Sequence, residues 1–108
     1  MMTRLLETVR GLVDYELADA RSIHGEYFHS PHEGYGVLAE ELYEAERETA
    51  DVTRKGTCLL EILHMDNLPV MVKALEALQT TAVHAACEYI QVAAMAKKMR
   101  ESVEKLNE

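Results

Sequence analysis

The chain has 108 residues, room for one domain with a modest core, and at this size a partner subunit is expected. Hydrophobic residues make up 48% of it, with no Trp, one Phe and two Pro, which suits aliphatic helix packing and argues against a strand-rich sandwich. A formal charge of -8 with no cluster of Lys and Arg works against direct DNA or RNA binding, and no apolar run approaches the roughly 20 residues of a membrane span.

The opening MMTRLLETVRGLVDYELADA carries charges every few residues, unlike the apolar centre of a signal peptide. Cys58 and Cys87 form no CxxC pair. Together these predict a cytoplasmic protein with reduced thiols.

In chain order, Leu5, Leu6, Val9, Leu12, Val13, Leu17 and Ala20 follow 3-4 spacing, interrupted by the polar Glu16, and predict an amphipathic helix from about Thr3 to Arg21. Periodicity lapses over Ser22–His29, which reads as a loop. Ser30-Pro31-His32-Glu33 then has the form of a capping box with Pro at the first helical position. The second helix should run to about Arg54, where Lys55-Gly56 offers a basic last turn and a stop. A short third helix is expected over Thr57–His64, and Asp66-Asn67-Leu68-Pro69 separates it from a fourth. From Val70 to about Lys105 nothing forces a break, although Thr80-Thr81 allow a bend, so this stretch is one helix or two. The expectation is a single all-α domain over residues 1–108, a bundle of four to five helices.

At about 100° per residue, Glu33, Glu40, Glu41, Glu44 and Glu48 share one side of the second helix, with Tyr35, Leu38, Leu42 and Ala45 opposite. Such a run is commonly a solvated face. Here, however, only Arg47 compensates it between Glu33 and Asp51, and like charges at i,i+4 cost roughly 0.2 to 0.5 kcal/mol per pair. A divalent cation would supply the missing counter-charge, since hard cations prefer carboxylate oxygens.

The segment Ala82–Ala96 is apolar nearly all round, as in a helix buried among neighbours. Within it His84, Glu88 and Gln91 follow i, i+4, i+7 spacing, and Met95 and Lys98 continue near the same stripe. A core or interface histidine is the plainer account of His84, and an inter-helix hydrogen bond explains Gln91 equally well. Glu88 is more informative, because a buried carboxylate needs a cation, a donor or a cleft.

Glu40-Glu41-Leu42-Tyr43-Glu44 reads EExxE and Glu88 opens a later helical motif, a pattern that resembles the all-α nucleotide pyrophosphohydrolases, including MazG and dimeric dUTPases. The closer likeness is to short phage- and prophage-type MazG-like proteins, through His32–Leu42 and Cys87–Lys97, about a fifth of the chain. The resemblance implies a MazG-like bundle that hydrolyses a nucleoside triphosphate to the monophosphate and pyrophosphate with Mg2+, or Mn2+ in its place, as a homodimer or homotetramer. Carried over by position, Glu40, Glu41 and Glu44 would be metal ligands or water-orienting bases, with Glu41 and Glu44 catalytic. Glu88 would open an ExxD pair whose second position is Gln91, a neutral ligand. Lys98 would meet a substrate phosphate, although surface placement explains it equally. The alternatives are a non-catalytic MazG-like oligomer for assembly or nucleotide sensing, and a purely structural helical oligomer.

Overall fold

The computed structural model describes residues 2–108, which form three helices in chain order: α1 (Met2–His24), α2 (Pro31–His64) and α3 (Leu68–Leu106). No strand occurs among the described residues. The all-α class agrees with the sequence pattern, while the number of helices is three rather than four to five.

The difference arises at Gly56, where α2 continues instead of stopping. A helix-interior glycine costs about 1 kcal/mol, less than the lateral packing around it provides. Leu59 and Ile62 are half-buried, and Lys55, expected to close a last turn, donates sideways to Thr81 Oγ1 at 2.6 Å and pairs with Asp51 at 3.2 Å. Thr81 is buried by this contact, and α3 passes through Thr80-Thr81 without a break.

Both inter-helix turns follow from local chemistry. α1 extends three residues beyond Arg21 and ends where Gly25, at φ +94°, takes the left-handed conformation and donates its N–H to Arg21 O at 3.0 Å. The loop is pinned by Phe28, which is buried and whose N–H donates to Ser102 Oγ at 2.9 Å. Ser30 caps α2 as expected, its Oγ accepting from the Glu33 N–H at 3.2 Å. Between α2 and α3, Asp66 adopts φ 54° and Asn67 caps α3 by accepting from the Val70 N–H at 3.2 Å.

α2 and α3 form a long antiparallel hairpin, and α1 lies along the C-terminal half of α3, tied by Asp14–Lys97 (2.8 Å) and Arg21–Glu101 (3.4 Å). The core sits at this three-helix end: Leu17, Phe28, Ala94 and Met95, flanked by Val13, Ala20, Val37, Leu38 and Met99. Gly34 keeps this packing close: a Cβ would stand 3.0 Å from Met99 Cγ and 3.1 Å from Phe28 Cδ2, so both side chains would have to give way by a few tenths of an ångström. Among the described residues no third helix covers the other end of the hairpin, and the molecule measures 62 × 29 × 22 Å. Ala82–Ala96 is consequently not enclosed all round: Val83, Cys87 and Tyr89 are exposed because α3 has one neighbour or two, not three.

Candidate metal centre

Where α1 meets the hairpin, Glu41 and Glu44 project from successive turns of α2 toward Glu88 on α3. One carboxylate oxygen of each lies within 4.8 Å of the other two. Ala45 and Ala85, one turn away on each helix, are both buried, and side chains this short permit close helix packing. A bond between Thr49 Oγ1 and Tyr89 OH, 2.7 Å, ties the same two helices. Thr49 spends its only proton on Ala45 O, so Tyr89 is the donor.

Glu41 and Glu88 are half-buried, and the Oε2 atom of each is enclosed without a hydrogen-bond partner. Burial pushes the Glu41 carboxyl above the usual glutamate range, and the charges of Glu44, Glu88, Glu40 and Glu16 add to the rise. Burial likewise raises Glu88, followed by the charge of Glu44, a side-chain hydrogen bond shared with Glu44 and the charge of Glu48, with His84 acting in the opposite direction; the enclosed Oε2 is the oxygen left without a partner. No Lys or Arg bridges to these three acids among the described residues; Arg54 pairs with Asp51, and Arg47 lies over the Tyr43 ring at 5.8 Å. Two enclosed acceptors without donors, beside a third carboxylate, fit a hard divalent cation better than they fit a solvated face.

Cavities flank the group on both sides. An open cleft of about 730 Å3 runs along Glu44, Arg47, Glu48, Asp51, Arg54 and Glu88. A smaller cavity of about 250 Å3, between α1 and the hairpin, is lined by Glu16, Asp19, His24, Glu41, Gln91 and apolar neighbours.

The expected residues are thus partly assembled. Glu41, Glu44 and Glu88 come together, whereas Glu40 is exposed outside the group and acts on Glu41 only through its charge. Gln91 is half-buried and faces the smaller cavity. Lys98 is not a surface residue: it is 2% exposed and lies under the Phe28 ring, its Nζ 4.4 Å from the centroid. Ten residues beyond Glu88, it stands about 15 Å farther along α3. Its ammonium is held below the usual lysine value, first by burial and then by Arg21, against the pull of Glu33. His32 is exposed, and so is His84, which the apolar pattern of its segment had pointed toward a core or interface. Glu16 and Asp19 of α1 also line the smaller cavity; Glu16 is the charge that interrupts the apolar stripe of α1, while nothing in the spacing of Asp19 marks it.

Compared with known proteins, the chain matches no family model, no curated protein and no solved structure.

Proposed function

We propose that this chain is a divalent-cation-dependent nucleoside triphosphate pyrophosphohydrolase of MazG-like type, working as a homodimer or homotetramer in the cytoplasm. The observation that carries the proposal is the pair of enclosed, donor-free oxygens on Glu41 and Glu88 beside Glu44. These three glutamates would hold Mg2+ or Mn2+, with Glu40 adding negative potential and Gln91 a neutral oxygen at the edge. A cation bound there supplies positive charge for triphosphate oxygens and makes water more acidic.

The reaction consumes water and breaks the bond between the α-phosphorus and the oxygen bridging to the β-phosphate, releasing pyrophosphate and the nucleoside monophosphate. Glu44, the most exposed of the three, would orient the attacking water and accept its proton. Arg47 and Arg54 line the cleft beside Glu44 and are suited to leaving-group phosphates. Lys98, under Phe28, has no part in this scheme.

The test is pyrophosphate release from a panel of ribo- and deoxyribonucleoside triphosphates, with and without Mg2+, beside Glu41→Gln and Glu88→Gln. Metal-dependent turnover lost in both variants supports the proposal, and no turnover from folded, metal-loaded protein sinks it. A second reading, a non-catalytic relative that senses nucleotide or serves assembly, is favoured by Gln91, which brings no charge and faces the smaller cavity. It predicts nucleotide-dependent stabilisation without hydrolysis.

A further inference from the structure

The face of α3 that α1 covers does not end where α1 ends. Ala86, Ile90 and Ala93 line the apolar contact with Val9 and Val13 of α1. Leu68, Val72 and Leu75 precede them by eighteen residues each, about five whole turns, and so lie on the same side of the helix. At about 1.5 Å per residue, the 23 residues of α1 span about 34 Å and the 39 of α3 about 58 Å. The stripe therefore runs on uncovered for roughly 24 Å. Leu68, Val72 and Leu75 are 75%, 53% and 47% exposed, and Leu60 and Leu63 on the adjacent part of α2 are 61% and 59% exposed.

We propose that this two-helix arm is a self-association surface, on which the arm of a second copy takes the place that α1 occupies lower on α3. Two quantities favour a second copy over another occupant. First, five such side chains offer roughly 500 Å2 of apolar surface per copy. A stable interface takes about 800 Å2 from each partner, about two-thirds of it apolar in homodimers. Second, the arm is nearly balanced within a chain of net charge -8: between residues 51 and 83, Arg54, Lys55 and Lys73 offset all but one of the charges of Asp51, Glu61, Asp66 and Glu76. Two copies can meet there without bringing their acidic ends together, and mixed charges beside a shared apolar stripe suit a two-fold, self-complementary contact. The same balance gives an anionic lipid surface nothing to attract.

The proposal is independent of the catalytic one. Sedimentation equilibrium of the full chain at micromolar concentration should give the mass of a dimer or a multiple of it. The double variant Leu68→Glu with Leu75→Glu should associate about a hundredfold more weakly, since it charges the centre of the patch. Tyr35→Glu, altering an equally exposed side chain off the arm, should leave the mass unchanged. Should the double variant fail to fold, hydrogen exchange of the wild-type arm decides instead: protection over 59–75 must rise with protein concentration. A wild-type monomer, undiminished association of the folded double variant, or concentration-independent exchange would each overturn the proposal. An inactive dimer would count only against hydrolysis, and an active monomer would count against this interface and the oligomeric state proposed above but not against hydrolysis.

Discussion

Glu41 and Glu88 hold their protons more tightly in the folded chain than in the unfolded one, because burial and neighbouring carboxylates disfavour their charged forms. The folded state then binds more protons in the interval above the ordinary glutamate value of 4.5, so metal-free stability falls as pH rises through it. A melting series without divalent ions should show the midpoint rising as pH is lowered from neutral toward that value, and the gain from added Mg2+ shrinking along the same path. A metal-free midpoint that drops over that interval would contradict this. Asp51 acts in the opposite sense, held low by its bond from Lys55 and by Arg54, but its contribution is lost only below the ordinary aspartate value of 3.8. Glu41→Gln removes a charge next to two like charges, and should stabilise the metal-free protein at neutral pH by roughly 0.5 to 1 kcal/mol while abolishing the Mg2+ effect. Lys98→Met keeps the stem and removes a desolvated ammonium. Its unfolding free energy should change by no more than about 2 kcal/mol, the scale of a desolvated contact between an ammonium and an aromatic ring, with any pyrophosphate release retained. Complete loss of turnover in that folded variant would restore Lys98 to the site.

The helix starts were legible at the level of the element because they are local: Ser30-Pro31 reads as a cap and Asp66-Asn67-Leu68-Pro69 as a break, and the structure adds that Asn67, like Ser30, bonds to backbone three residues away. The continuity of α2 was not legible, since Lys55-Gly56 satisfies the local rules for a stop and is overruled by a bond to Thr81, 26 residues on. Gly56 is now a glycine in a helix interior, with nothing within 4 Å of an added Cβ. Gly56→Ala should therefore raise stability by roughly 0.5 to 1 kcal/mol in chemical denaturation. A loss instead would mean that the helix breaks there after all.

For the whole molecule, the division into a three-helix end that carries the core and carboxylates and a two-helix arm that carries Leu60, Leu63, Leu68 and Leu75 exposed would keep the proposed ligand site apart from the proposed self-association surface. A non-hydrolysable nucleoside triphosphate with Mg2+, at 100 times its dissociation constant, should stabilise the native chain by about 2.7 kcal/mol. In a domain of this size that corresponds to roughly 10 °C or more in melting temperature. The gain should vanish in Glu88→Gln. Its absence from the wild-type protein would leave a purely structural oligomer as the better account.

Periodicity and composition by themselves determined that the chain is helical, that acids gather on one side of α2, and that Glu88 interrupts an apolar segment, because each depends on spacing within a single helix. Only the tertiary structure decided which acids meet. Glu40 and Glu44 satisfy the same helical pattern and both are exposed, yet only Glu44 comes within reach of Glu41 and Glu88, because the packing of α2 on α3 decides which side of the acidic face meets the partner helix. The same holds for Lys98, whose burial comes from a loop residue 70 positions earlier folding its ring over the ammonium. Contacts between distant segments have no period to read, and they separated the carboxylate group from the remainder of the motif.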